Sequence, residues 1–164
     1  MKKVLILFSI ICSSYVIFSQ EIGIRFEKNL SFSAALEKSA KEGKLIFMDC
    51  YTSWCGPCKY LANKVFTQKE VGDFYNEHFI NVAFDMEKGE GVEIAKKYFV
   101  NAYPTLLFLN SKGEIVHKSL GASEADRILT LGKNALDTGS TYLTLSERIK
   151  NGDRSVKTIT NYLN

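Results

Sequence analysis

The sequence predicts an α/β domain: a central mixed β-sheet flanked by helices on both faces. Three observations carry that reading. The segment from Lys44 to Tyr51 is a near-continuous apolar run, as expected of a strand buried on both faces. Thr105–Leu109 and Glu114–Ser119 are joined by Asn110-Ser111-Lys112-Gly113, a turn that makes them an antiparallel hairpin. Helical spacing fills the gaps between strands, giving the order β-α-β, then α, then β-β-α. A parallel pair with a crossover, joined to a hairpin, places helices on both faces of one sheet.

Taken in order, Ile22 to Leu30 mixes apolar and charged residues and reads as a first edge strand. Ser31 or Ser33 caps a helix over Ala34–Glu42, in which Leu36 and Ala40 share a face and Gly43 stands at the stop position. The Lys44–Tyr51 strand follows, interrupted only by Asp49. Lys59 to Phe66 is able to form a helix. Thr67-Gln68-Lys69-Glu70 has the pattern of a capping box and opens a helix through about His78. Phe79 to Phe84 is the next strand, ending in Asp85; Gly89 and Gly91 mark a loop, and Val92, Ala95 and Phe99 give Val92–Phe99 helical spacing. After the hairpin, Gly121 ends the strand and Ser123 caps a helix through Ala135. Asp137 to Ser140 reads as a linker. Tyr142–Lys150 and Ser155–Leu163 read as two short helices split by Asn151-Gly152-Asp153. The domain therefore spans 20–137, with a helical C-terminal extension over 138–164.

The chemistry concentrates in Trp54-Cys55-Gly56-Pro57-Cys58, between the apolar strand and a helix. Two cysteines at this spacing in this context read as a redox pair. At a helix start, the Cys55 sulfur would face unpaired backbone N–H groups and the positive end of the dipole, which favour the thiolate, the nucleophilic form. Cys58 lies one turn on, within reach of a mixed disulfide held on Cys55. Pro57 suits an early helical position, where its missing N–H has no partner to lose. The bland readings fare worse. Zinc wants four ligands, and Cys50, His78 and His117 are scattered without a second paired motif, so no metal and no cofactor is expected. A structural disulfide closing so small a loop would constrain little of the unfolded chain. Asp49 inside an apolar strand must stay protonated or find a partner, because an ionised carboxylate there is costly. Cys50, adjacent to it, points to the opposite sheet face and reads as a buried free thiol; His78 and His117 read as surface residues.

This pentapeptide and its flanks resemble the thioredoxin family, over about Phe32 to Ala135. Asp49, six residues before Cys55, stands where thioredoxins carry a buried acid, and Tyr103-Pro104-Thr105 is similar to the family's cis-proline loop. Val65-Phe66-Thr67-Gln68-Lys69-Glu70-Val71 with Phe79–Asp85 looks more like the exported branch that includes the C-terminal domain of the thiol reductase DsbD. The resemblance implies a thioredoxin-like fold and a thiol–disulfide oxidoreductase in which Cys55, Cys58 and Asp49 are catalytic. It also implies that Trp54, Gly56, Pro57, Tyr103 and Pro104 contact substrate, with Pro104 facing the cysteines and the Tyr103 backbone open to an extended segment. Family members often place a lysine beside the acid, and Phe84 falls near that position here. Gly-Pro between the cysteines resembles the reducing members. Oxidase or isomerase is the alternative direction, and a binding or chaperone-like module is the rival from another class.

The bulk properties bound the partners. With 46% hydrophobic and 12% aromatic residues among 164, the chain suits one globular domain with ends. Lys2-Lys3, the apolar stretch Val4–Ile11 and the small residue Ser19 read as a signal peptide over 1–19, predicting an exported, periplasmic or extracytoplasmic protein without stable membrane insertion. Ser13 and Ser14 break the stretch well short of the roughly 20 apolar residues a spanning helix needs. Ile11 before Cys12 argues against a lipid anchor. Removing Lys2 and Lys3 from 21 basic residues leaves 19 against 18 acidic ones, a net of +1, which is no footprint for nucleic acid. Expected partners are protein thiols and disulfides and a thiol–disulfide electron-transfer protein, with the chain acting as a monomer.

Overall fold

The computed structural model of the chain describes residues 22–137, 142–156 and 158–159. The expected leader over 1–19, Cys12 and the linker at 138–140 lie outside the described residues. The elements are α1 (Phe32–Glu42), β1 (Leu45–Tyr51), α2 (Gly56–Tyr60), α3 (Lys69–His78), β2 (Phe79–Asp85), α4 (Glu90–Lys97), β3 (Thr105–Leu109), β4 (Ile115–Leu120), α5 (Ala125–Leu136) and α6 (Tyr142–Lys150). The sheet order is β2-β1-β3-β4, with β1 parallel to β2 and antiparallel to β3, and β3 antiparallel to β4. This is the mixed sheet expected, with β1 and β3 in its interior.

Alternation along β1 divides the core in two. Phe47 joins Leu61, Val65, Phe66, Val71, Tyr75, Phe108, Ile128 and Leu131 on the face covered by α2, α3 and α5. Ile46, Met48 and Cys50 join Ile80, Val82, Ile94, Tyr98, Leu107 and Leu109 on the other face, with α1 and α4. The first half is centred on aromatic rings. Tyr75 is fully buried, lies 4.6 Å from the Phe47 ring centroid and donates its hydroxyl to the Ile128 carbonyl at 2.7 Å. That bond satisfies the hydroxyl of a ring otherwise surrounded by apolar side chains.

Helix ends follow the sequence in part. Ser31 caps α1 by accepting from the Ala34 N–H at 3.2 Å, and Gly43 closes it at φ 67°. The capping box before α3 does not form: Gln68 is the N-cap residue, but its side chain accepts no bond from the helix. The Thr67 hydroxyl donates instead to the Asn63 carbonyl at 3.2 Å, and Gln68 Nε2 to the Lys64 carbonyl at 3.0 Å. The reason lies one turn earlier. After α2 the chain widens into a π-helical turn, Leu61–Val65, closed by Phe66 N–H to Leu61 C=O at 2.8 Å. The orphan carbonyls at its end compete for both side chains and win. Likewise Glu124, not Ser123, occupies the N-cap position of α5, without a side-chain bond.

The expected first strand over Ile22–Leu30 is a correction: the segment joins no ladder, bending at Gly23 and turning at Lys28 and Asn29. Gly23, at φ 100°, turns the chain flat onto α3, where its backbone meets Gly72 so closely that a Cβ on Gly72 would sit 2.3 Å from Gly23 backbone atoms. The N–H groups of this strap are met piecemeal: Ile24 by the Phe66 carbonyl at 2.7 Å, Arg25 by Asn76 Oδ1 at 2.8 Å, Glu27 by the Asn81 carbonyl at 2.8 Å. Two scattered backbone carbonyls and the Asn76 side-chain amide take the place of a strand partner. At the other end α6 packs against β4, burying Leu145. The Asn151-Gly152-Asp153 break is as expected, with Asp153 accepting from Arg148, Ser155 and Thr158. The helix expected over Ser155–Leu163 is seen only at its start, since 160–164 lie outside the described residues.

The Gly23–Gly72 approach gives a direct test. Gly72→Ala forces a methyl into backbone, and overpacking of this kind costs about 1–3 kcal/mol. Urea unfolding should show the midpoint falling with an unchanged slope. An unaffected midpoint would show that the strap is not held by this contact.

Candidate active site

Cys55 and Cys58 are joined as a disulfide, with Cα atoms 5.3 Å apart. Cys55 is the N-cap residue of α2, and its Sγ accepts from the Cys58 N–H at 3.1 Å. Gly56 and Pro57 fill the first two helical positions, so Pro57 costs no helical bond. The helix start therefore presents N–H groups to the Cys55 sulfur, as the spacing implies. The two residues are almost equally buried, at 3% and 4% exposure, so position in the helix rather than access distinguishes them.

Asp49 lies on the same face of β1 as Phe47, the face that carries α2. It is 5% exposed, and its Oδ1 is buried with no hydrogen-bond partner. Burial pushes its carboxyl up from 3.8 to about 7. With Cys58 it lines a pocket of about 440 Å³ that runs under α2 toward the strap. The residue paired with Asp49 across β2 is Ala83, which also lines this pocket. Phe84 pairs with Cys50 and packs on the opposite face, which corrects the expectation that Phe84 stands in the place of the missing lysine. The counter-charge is indeed missing, and the residue in its place is Ala83.

The Tyr103–Pro104 peptide is cis. The Pro104 carbonyl accepts from Gly121 N–H at 2.8 Å, and β3 begins only at Thr105, which leaves Tyr103 outside the ladder. The Tyr103 ring meets Trp54 edge-on, centroids 5.9 Å apart, which brings the proline loop beside the residue preceding Cys55. Trp54 itself is 64% exposed; it is a rim residue, held by its indole N–H to Glu87 Oε2 at 2.9 Å. Pairs that the sequence left unseen are this one and Tyr60 O–H to Glu124 Oε1 at 2.7 Å, which ties α2 to the start of α5. Each joins residues 33 or 64 positions apart, and no local pattern signals them. Thr52 was likewise missed: it is 1% exposed, its hydroxyl has no partner, and it lines the same pocket as Asp49.

Cys50 is a free thiol, fully buried on the far face, and burial pushes it up well beyond the ordinary thiol range. His78 is half-buried with its ring against Phe74 at 4.7 Å. His117 corrects the surface reading: it is 6% exposed, with Nε2 unpaired and its ring 6.0 Å from that of Phe108. Its β4 position sits opposite Phe108 in the register, so the pleat carries it inward, and burial lowers its basicity. Among the described residues no three His, Cys, Asp or Glu side chains gather as a metal site.

Comparison with known proteins fits this geometry. A family model for the thioredoxin-like domain matches residues 32–136. A thioredoxin from Echinococcus granulosus is 40% identical over 91 residues, covering 56% of this chain and 78% of that protein. The solved structure of a candidate disulphide-isomerase from Bacteroides thetaiotaomicron is 51% identical, with a TM-score of 0.64 over 73% of this chain and 98% of that one. The C-terminal domain of DsbD from Neisseria meningitidis, in its oxidised form, is 25% identical, with a TM-score of 0.55 over 67% of this chain and 97% of that one. With a Cys-Gly-Pro-Cys pair at a helix start, a buried acid behind it and a cis-proline loop beside it, the chain belongs to the thioredoxin family and is a thiol–disulfide oxidoreductase.

Proposed function

We propose that this oxidoreductase works outside the cytoplasm as a protein-disulfide reductase. The observation that carries the reading is the unpaired Asp49 carboxyl sharing a pocket with Cys58. In the first step the Cys55 thiolate attacks a substrate disulfide; its S–S bond breaks, one substrate thiolate leaves, and a mixed disulfide forms on Cys55. In the second, Asp49 accepts the Cys58 proton and the Cys58 thiolate attacks Cys55 Sγ. The substrate's second sulfur leaves as thiolate and takes up a proton. Two electrons have passed from the cysteine pair to the substrate, and the pair is left as the disulfide described above. A dithiol partner must reduce it again. A carboxyl near 7 suits this exchange, because it is neither fully ionised nor fully protonated at neutral pH.

The Trp54–Tyr103 pair beside Cys55 offers an aromatic rim to an extended substrate segment, with the Tyr103 backbone free of the sheet. Gly-Pro between the cysteines, and the likeness to the C-terminal domain of DsbD, support the reducing direction. The likeness to a candidate disulphide-isomerase favours a second reading, in which the same pair rearranges disulfides. Family potentials span on the order of 150 mV, so the Cys55–Cys58 potential decides between them. A value near that of reducing members supports the proposal, and one near that of oxidants overturns it. Export rests on Lys2-Lys3, Val4–Ile11 and Ser19.

Three outcomes follow. Cys58→Ser should accumulate mixed disulfides with substrate proteins on non-reducing gels and Cys55→Ser should not; equal trapping by both would reverse the assignment. N-terminal sequencing of the protein from its native host should begin near Gln20, and Met1 on a membrane-bound species would exclude the leader. Asp49→Asn should slow resolution, by at most roughly 10²–10⁴-fold, while sparing the first attack. It should also stabilise the fold with a defined sign. The folded carboxyl titrates near 7 and the unfolded one near 3.8, so the folded state holds the extra proton and native stability falls as pH rises between those values. The variant's advantage is therefore absent below that window and fully developed above it, at most about 4 kcal/mol. Stopped-flow kinetics and urea unfolding across pH read both, and a resolution rate unchanged by the substitution would leave Asp49 a structural acid.

A further inference from the structure

We propose that the pocket behind the disulfide binds a primary ammonium group carried on a compact apolar body. The pocket holds about 440 Å³, within the range of small-molecule sites. Its walls are largely apolar: Ile22, Ile24 and Phe26 of the strap, Ala62 and Phe66 after α2, and Ala83 of β2, with Ser53, Asn63 and Thr67 among them. Two of its polar side chains are buried without a partner. Asp49 lines it with a buried carboxylate oxygen that has no partner, and Thr52 adds a buried hydroxyl that has none. A shaped apolar space ending in unmet polar groups is the form of a ligand site rather than of a packing fault, since natural interiors leave few such groups unanswered.

Charge decides the class of ligand. Asp49 has no basic residue across the sheet, where Ala83 stands, and no ion pair among the described residues. An anion would meet a second negative charge in a desolvated place. A neutral alcohol could hydrogen-bond to the protonated acid but would leave the ionised form uncompensated. An ammonium supplies the absent counter-charge, donates to Asp49 and has a further donor for the Thr52 hydroxyl. Its apolar body covers Phe26, Phe66 and the two isoleucines. The other ionisable groups on the wall are Tyr51 and Lys59, with Cys58 held in the disulfide. Lys59 is exposed; its positive charge opposes entry and limits affinity without cancelling the carboxylate.

Binding also acts on chemistry. A cation beside Asp49 favours its ionised form and makes it a poorer proton acceptor for Cys58. The ligand would therefore slow resolution while leaving the Cys55 attack alone. This kinetic consequence rests on the proton role proposed above for Asp49; binding itself does not.

The test uses the oxidised full chain, which turns nothing over, so its result is independent of the direction of electron flow and of the role of Asp49 in resolution. Phenethylamine, phenethyl alcohol and hydrocinnamate serve as cationic, neutral and anionic probes of one shape. Calorimetry at about pH 8 should show the amine binding at least about tenfold more tightly than the alcohol, with hydrocinnamate weakest. Amine affinity should fall about tenfold or more toward pH 5 as Asp49 takes up its proton, and the Asp49 carboxyl resonance should titrate lower with amine bound. Asp49→Asn should erase the preference for amine over alcohol. Ala62→Trp, at an exposed position on the wall, should abolish binding of both. Equal affinity for amine and alcohol, absence of amine binding, or an affinity unchanged by Asp49→Asn or Ala62→Trp would each overturn the proposal.

Discussion

The constraint on which the rest depends is that β1 is packed on both faces. A strand so placed has no side on which to hide an error, and a shift of one residue would exchange its two sets of side chains. Phe47 must meet the aromatic cluster around Tyr75, and Ile46 and Met48 must meet the cluster around Leu107 and Leu109. That register carries Asp49 to the side of α2 and Cys50 away from it. The chemistry is thus a by-product of hydrophobic alternation: once Phe47 is seated, the acid cannot be anywhere but behind Cys58. The parallel pairing with β2 then brings Ala83, rather than a charged neighbour, against it.

The fold was legible where the sequence pattern is local and repetitive. The apolar run of β1, the hairpin from Thr105 to Leu120 and the helix over Phe32–Glu42 each follow from a period, a turn or a cap within a dozen residues. It was not legible where one group had two suitors. Thr67 and Gln68 stand where a cap is expected, but their side chains donate to the carbonyls of Asn63 and Lys64 and neither caps α3. The strap over Ile22–Phe26 has the composition of a strand, yet Gly23 and Gly72 let two backbones approach in a manner that composition does not announce. His117 looked like a surface residue because no ligand partner stands near it in the sequence; only the register opposite Phe108 turns it inward.

The site shows the same division. Cys55 and Cys58, and their place at a helix start, are written in five consecutive residues. The cis peptide before Pro104 could be expected only through likeness to a family, since an X-Pro sequence permits both isomers. The ties that hold the surroundings, Trp54 to Glu87 and Tyr60 to Glu124, depend on loops brought together by the whole sheet. The exposed indole is thereby held by a hydrogen bond and a ring contact, so the rim of the site is less free than its exposure suggests.

The strap bears on how the protein can be matured or joined to another domain. Its outer residue, Ile22, contributes a wall to the space behind the disulfide, and Gly23 is clamped between Phe66 and Gly72. Trimming that reached past Ile22 would strip that wall and reduce the apolar cover of the pocket that Asp49 lines. A junction for any carrier or tag upstream of Ile22 leaves that wall in place, so the surroundings of the cysteine pair include a segment that contains none of the reacting atoms.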